Sequence, residues 1–292
     1  MTEGTIIKGV GGQYTVDTPE GQYICNARGL FRKQNLTPVI GDRVQIRVAA
    51  GRPAGDFTGM LMAILPRTNE LRRPRVANVD QVVIVLAAAQ PDLHFTILDR
   101  YLIQAEYEEI AAAICVNKTD LGEDIPHKVR DIYEPAGYPV FIVSVNSNIG
   151  LEDFKNYLQA KTTVLAGPSG VGKSSIINCI TGEASMATGK VSERIGRGKH
   201  TTRHAEFVPI KLGTDPSPSG YIIDTPGFSS LEPPDIPLLE RAELFKEFRP
   251  WLGKCRFNNC LHRSEQDCAI KEQIGISIAP SRYERYIEWI SD

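Results

Sequence analysis

The 292-residue sequence contains no apolar run approaching the roughly 20 residues that a membrane-spanning helix requires. Its first residues, Met1-Thr2-Glu3-Gly4, carry neither a charged n-region nor an apolar h-region, so no secretory signal is expected. Neither sign of charge is in surplus: 33 Lys and Arg against 35 Asp and Glu give a formal net charge of -2. That excludes a uniformly basic nucleic-acid coat and leaves local patches open. Cysteine is sparse. Of the six, Cys25, Cys115 and Cys179 stand alone and read as reduced core thiols, whereas Cys255, Cys260 and Cys268 cluster. Internal repeats are lacking, and the one low-complexity stretch, from Asp215 to Gly220, is expected to be an exposed turn. These absences make the cytoplasm the expected compartment. What is present, 42% hydrophobic and 23% charged residues, is ordinary for a globular chain that buries its core without disulfides. The length suits two or three domains.

Three segments follow one another. Residues 1–66 carry short alternating or β-branched runs at Thr5–Val10, Gln13–Val16, Tyr23–Arg28, Arg43–Val48 and Met60–Leu65, punctuated by glycine and proline turns. Five such strands predict a small closed barrel, an OB-fold first. Residues 67–75, with four arginines and with prolines at 66 and 74, read as a linker. From 76 to 234 the pattern becomes α/β: apolar runs at Val82–Ala89, Ala111–Val116, Val140–Val143, Thr162–Ala166 and Tyr221–Ile223 alternate with helical stretches. In one of these, Ile97–Glu109, Leu98, Leu102 and Ala105 share a face. Continuous apolar strands separated by helices predict a parallel sheet covered on both faces, with ligands at the strands' carboxyl ends. The last segment, 235–292, is expected to be mainly α, with helices at Leu238–Phe248 and Pro280–Ile290 around the cysteine cluster.

Gly167-Pro168-Ser169-Gly170-Val171-Gly172-Lys173-Ser174 matches G-x-x-x-x-G-K-[ST], with an apolar strand before it and a helix opening at Ser175 after it. In that context the glycines let successive backbone N–H groups face phosphate oxygens at a positive helix end. Lys173 would reach the β- and γ-phosphates, and the Ser174 hydroxyl would ligate Mg²⁺. The loop argues for a nucleoside triphosphate without naming the base.

Asn117-Lys118-Thr119-Asp120 directly follows the strand Ala111–Val116. A carboxylate there accepts from N1–H and the N2 amino group of guanine, donors that adenine lacks. A site built on such hydrogen bonds discriminates by roughly 10,000-fold or more. Asn117 is expected at the other base edge and the Lys118 stem over the ring. Ser144-Val145-Asn146, at another strand end, suits a loop whose backbone N–H meets guanine O6.

Asp224-Thr225-Pro226-Gly227 ends the strand Tyr221–Ile223 and matches D-x-x-G. Asp224 would hold Mg²⁺ through water, and the Gly227 N–H would sense the γ-phosphate. Where many GTPases carry a water-orienting glutamine this chain has Phe228, which cannot position a nucleophile, so unaided hydrolysis is expected to be slow. In Gly196-Arg197-Gly198-Lys199-His200-Thr201-Thr202, Thr201 or Thr202 would complete the Mg²⁺ shell, and His200 is the candidate for positioning water. Five Lys or Arg against Glu193 alone across Lys190–His204 suggest a polyanionic partner.

Cys255-x4-Cys260-x-His262-x5-Cys268 supplies three thiolates and an imidazole, the ligand set of a closed structural Zn²⁺ site.

Ordinary GTPases begin with the phosphate loop, but here N-K-x-D comes first. This order, with an N-terminal barrel and a C-terminal Cys-Cys-His-Cys module, resembles the RsgA (YjeQ/YloQ) family over essentially the whole chain. The resemblance implies an OB-fold that binds RNA, a circularly permuted GTPase domain and a zinc domain. It further implies a monomer that contacts 16S rRNA, is stimulated by the 30S ribosomal subunit late in its assembly, and leaves after converting GTP to GDP. It supports Cys255, Cys260, His262 and Cys268 as zinc ligands and His200 as catalytic. The rival reading is an RNA-binding checkpoint that senses guanine nucleotide with little turnover.

Overall fold

The N-terminal strands β1 (Thr2–Val10), β2 (Gln13–Thr18), β3 (Gly21–Ala27), β4 (Arg43–Val48) and β5 (Thr58–Ile64) close on one another in the order β1-β2-β3-β5-β4, and β4 returns to β1. Only β3 and β5 run parallel, the connectivity of an OB-fold. Alternation explains the closure: Val44 and Ile46 turn inward while Arg43 and Arg47 face out, and the interior is filled by Ile6, Val16, Cys25, Phe31 and Leu61. Burial pushes the Cys25 thiol up to about 11, so it packs as a small apolar group.

The computed structural model describes residues 1–27, 31, 36–48, 57–72, 75–182, 206–210, 219–224 and 234–291. Residues 67–75, read as a linker, contain structure. Strand β6 (Glu70–Arg72) pairs with β7 (Arg75–Ala77). Arg67 grips the fully buried Asp42 carboxylate with two bonds, 2.6 and 2.8 Å long. The arginines are thus partly consumed in pairing, which a charge count does not reveal.

The chain divides into two compact units, and the division runs through residues 76–234. The first unit comprises Met1–Gln81, Lys155–Leu165 and Lys173–Phe228. Besides the barrel it holds β11 (Thr162–Ala166), β12 (Glu206–Ile210), β13 (Gly220–Asp224) and helix α4 (Lys173–Thr181), in the strand order β11-β13-β12. β11 and β13 are parallel, as expected from their apolar runs. β12 is antiparallel to β13, a departure from the all-parallel expectation. Pro209 disguised this strand, and proline is tolerated there because β12 lies at the end of the order among the described residues.

The second unit comprises Val82–Phe154, Ala166–Gly172 and Ser229–Asp292. Its strands β8 (Gln81–Ala87), β9 (Ala111–Asn117) and β10 (Val140–Ile142) lie in the order β10-β9-β8. β8 is buried along its whole length, as a strand covered on both faces must be. Helices α1 (Phe95–Tyr107), α2 (Asp124–Tyr133) and α3 (Leu151–Leu158) follow β8, β9 and β10. α1 buries Leu98, Leu102 and Ala105, the face its periodicity predicts.

In the C-terminal module α5 (Pro280–Ser291) forms as expected, but the helix expected at Leu238–Phe248 is replaced by two 3-10 segments, Leu238–Leu244 and Lys246–Trp251. They break at Phe245, whose extended backbone seats its ring 5.0 Å from Phe248 and 5.2 Å from Tyr286. Burying that ring outweighs local helix propensity. The module's core also takes in Ile103 from α1.

A buried ionic cluster completes this packing. Arg282 is fully buried, with its Nε 2.6 Å from Glu247 and its Nη1 2.6 Å from Asp99 on α1. Asp99 also accepts from Arg285 and from the Tyr133 hydroxyl. Burial above all, and the neighbouring Asp99 charge, keep Tyr133 neutral and able to donate. Removing one partner of a buried pair strands the others without compensation. Arg282→Ala is therefore expected to cost about 3–5 kcal/mol in denaturant unfolding. A loss below about 1 kcal/mol would show the cluster to be incidental to stability.

Candidate nucleotide site and metal centre

The phosphate loop has the predicted strand–loop–helix form. β11 ends at Ala166 and α4 starts at Lys173, so the backbone N–H groups of its first turn lie at the open, positive end of the helix. Two glycines are obligatory. Gly167 has φ +134°, and a Cβ there would stand 2.1 Å from the Val85 carbonyl. Gly172 has φ +94°, and its Cβ would meet Asn117 Nδ2 at 2.3 Å. Any side chain at these positions would open the loop or displace Asn117.

Asn117 is the joint between phosphate loop and base motif. Its Nδ2 donates a 2.9 Å bond to the Val171 carbonyl, and its Oδ1 receives a longer, 3.4 Å contact from the Val145 N–H. The residue is 2% exposed. The amide expected at a base edge is thus engaged inside the protein, holding three loops together.

Asp120 is exposed, with both oxygens oriented. Ser144 Oγ donates to Oδ1 at 2.6 Å and Asn146 Nδ2 to Oδ2 at 3.3 Å. The Ser144 bond, more than any other influence, holds the Asp120 carboxyl below its usual range, so it stays an acceptor. The sequence suggested only a backbone contact from residues 144–146; the side chains of Ser144 and Asn146 set the direction of the Asp120 carboxylate. Lys118 takes the left-handed conformation, φ +59°, and its Nζ donates to the Gln90 carbonyl. The loop Ala88–Pro91 went unread in the sequence. It also approaches the phosphate loop, since a Cβ on Gly170 would lie 3.8 Å from Pro91. The only available signal was the abrupt end of an apolar strand in Gln-Pro.

Among the switch residues, Asp224 closes β13, its backbone in register with Leu165 on one side and Glu206 on the other. His200, Thr201, Thr202, Gly227 and Phe228, like most of the stretch from Asp215, lie outside the described residues.

The C-terminal cluster meets a direct test of fit. The donor atoms of Cys255, Cys260, His262 and Cys268 lie within 4.8 Å of one another. His262 Nδ1 is 3.5 Å from Cys255 Sγ and 3.4 Å from Cys268 Sγ, and the two sulfurs are 3.9 Å apart. A tetrahedral zinc with Zn–S near 2.3 Å and Zn–N near 2.05 Å requires edges of about 3.6 Å (S to N) and about 3.8 Å (S to S). The residues fit a four-coordinate cation. Burial lowers the His262 pKa and favours the neutral imidazole that a ligand must be. It also pushes the Cys260 thiol up to about 12, a thiol that only a nearby cation would ionise at neutral pH.

The supporting shell is specific. Tyr283 and Tyr286 donate to the carbonyls of His262 and Leu261. Glu265 accepts from the N–H groups of Leu261, Arg263 and Ser264. Burial raises the Glu265 pKa, but these backbone donors together outweigh it and leave the carboxyl below its usual range. The solitary cysteines lie elsewhere. Cys25 and Cys115 are buried as expected, whereas Cys179 is exposed on α4, a correction to its reading as a core thiol.

Comparison with known proteins matches this geometry. The family model described as RsgA GTPase covers residues 64–234, and that described as RsgA N-terminal domain covers residues 3–54. A protein of Alkaliphilus metalliredigens named small ribosomal subunit biogenesis GTPase RsgA is 43% identical, over 100% of this chain and 98% of its own. One of Ruminiclostridium cellulolyticum with the same name is 46% identical, over 99% of this chain and 92% of its own. Among solved structures, YjeQ from Thermotoga maritima is similar with a TM-score of 0.78 at 34% identity, covering 99% of this chain and 97% of its own. YloQ, described as a circularly permuted GTPase, gives 0.78 at 35% identity, covering 100% and 94%. With the phosphate loop, the inverted motif order and the barrel all in place, this chain belongs to the RsgA family of circularly permuted GTPases.

Proposed function

We propose that this chain hydrolyses GTP to GDP and phosphate in late maturation of the small (30S) ribosomal subunit. It binds 16S rRNA, is stimulated by the subunit, and is released after hydrolysis. The observation that carries this reading is the Asn117 bond to the Val171 carbonyl, which ties a guanine-reading motif to a phosphate loop that follows it in sequence. The names of the full-length relatives supply the ribosomal context.

In this reading Asp120 accepts from guanine N1–H and the 2-amino group, and the Lys118 stem covers the ring. A backbone N–H of the loop Ser144-Val145-Asn146 meets O6. The backbone N–H groups of Gly167 and of Ser169 to Ser175, with the Lys173 ammonium, bind the phosphates, so charge that develops on them in the transition state is met by preset donors. Magnesium, when bound, neutralises β- and γ-phosphate oxygens; Ser174, Asp224 and one of Thr201 or Thr202 would hold it. The Gly227 N–H senses the γ-phosphate, and His200 orients the attacking water. The Cys255, Cys260, His262 and Cys268 set, sulfur-rich and closed, suits zinc in a structural role. Residues 1–66, 76–234 and 235–292 act as barrel, GTPase domain and zinc module of a cytoplasmic monomer. Among the described residues no helix is long and apolar enough to cross a membrane.

Phe228 favours a second reading, a nucleotide-sensing RNA checkpoint with little turnover. Phosphate release from GTP measured with and without purified 30S subunits separates the two. Acceleration by subunits is expected, and an unchanged slow rate would leave only the checkpoint.

Two substitutions probe the nucleotide site. Lys173→Ala is expected to weaken binding of both GTP and GDP by about 10- to 100-fold, the value of a charge-assisted hydrogen bond. Asp120→Asn should reduce the preference for GTP over ATP at least ~10-fold while leaving folding unchanged. A variant that still discriminates as well as the parent would remove Asp120 from base recognition. For the metal centre, atomic absorption is expected to find one zinc per chain, and Cys260→Ser should lose it together with the ordered signals of Tyr283 and Tyr286. Purified protein that is folded and zinc-free would overturn the assignment.

A further inference from the structure

The barrel holds the root of the strand that ends in Asp224. Tyr221, the second residue of β13, donates from its hydroxyl to Asp17 Oδ2 at 2.9 Å, and the Thr5 side chain bonds the same phenol. Thr5 and Asp17 face each other across β1 and β2. The phenol is therefore seated on one cross-strand pair of the barrel. Asp17 is only 7% exposed, and a buried carboxylate that loses a donor is costly, so the contact is held to one geometry. Phe207 of β12 packs 5.7 Å from the Tyr221 ring and also abuts Gly41 of the barrel.

A shift at this seat has little room to dissipate. Ile222 and Ile223, the next two residues, are fully buried. In the parallel ladder Tyr221 is in register with Thr162 and Asp224 with Leu165, and Leu165 lies two residues before Gly167. Close-packed interiors pass on displacement rather than absorb it. The three steps from Tyr221 to Asp224 cover about 10 Å of extended backbone.

We propose that Tyr221 and Asp17 form the positioning contact through which RNA bound to the barrel sets β13, and with it the Asp224 end of the nucleotide site, so that stimulation by the small subunit passes through this hydrogen bond. The inference rests on the reading of the chain as a subunit-stimulated GTPase. Neither residue touches nucleotide; both act through the strand.

The test is Tyr221→Phe, which keeps the ring and removes the hydroxyl. Basal phosphate release, nucleotide affinity and cosedimentation with 30S subunits are expected to stay at parental values, while the subunit-stimulated kcat falls by roughly 2- to 30-fold, the range seen for coupling residues. Asp17→Asn, whose amide still accepts from the phenol, should retain most of the stimulation. Should Tyr221→Phe unfold, Tyr221→Phe with Asp17→Leu removes the stranded carboxylate and is read by the same criteria. Full stimulation in the folded hydroxyl-less variant overturns the proposal. Parental protein that subunits do not stimulate refutes the underlying reading instead, so the two failures are distinct.

Discussion

One side-chain amide organises the nucleotide end of this protein. Asn117 bonds to the Val171 carbonyl and meets the Val145 N–H, so the phosphate loop and the loops that follow β9 and β10 are tied by a single buried residue. Because Gly172 lies against that amide with no space for a Cβ, loop conformation and amide position determine each other. Circular permutation leaves such a joint intact. The hydrogen bond depends on where strands end, not on which comes first along the chain, and the same constellation survives reconnection of the loops.

The C-terminal module is built into the unit that carries Asn117 and Asp120. Ile103 of α1 belongs to the module's apolar core, Arg249 pairs with Glu106, and Arg282 and Arg285 converge on Asp99. Asp99 receives two guanidinium groups and a phenol, so α1, α2 and α5 meet on one carboxylate. Buried ionic clusters are poor sources of net stability, but they tolerate only one arrangement of their members. In the sequence the D-x-x-G motif immediately precedes this module. The packing attaches the module to the helix that follows the Gln90 loop.

Much of this was legible in the residues themselves. Barrel strands announce themselves by alternation, β8 and β9 by continuous apolar runs, the phosphate loop by its glycines, and the metal centre by donor spacing. What escaped depends on partners far away in the chain. Gln90 gains meaning only because Lys118 reaches its carbonyl, and Ser144 because Asp120 lies beside it. Proline hid the edge strand β12, since its cost depends on whether a neighbour is present on that side. The 3-10 break at Phe245 reflects a ring drawn into a core assembled from α5 and α1, which no local window contains. The arginine-rich stretch after the barrel reads as a linker because the acceptor of Arg67, Asp42, precedes it by 25 positions.

The metal donors have a consequence of their own. Cys260 and Cys268 are not hung from a loop; they are part of the apolar cluster that also contains Ile103 and Tyr286. A cation held by these donors would therefore close the same apolar cluster against which Ile103 of α1 packs. The cluster into which the donors are set is thus also the one that covers the back of α1, so whatever fixes those four side chains fixes the helix as well.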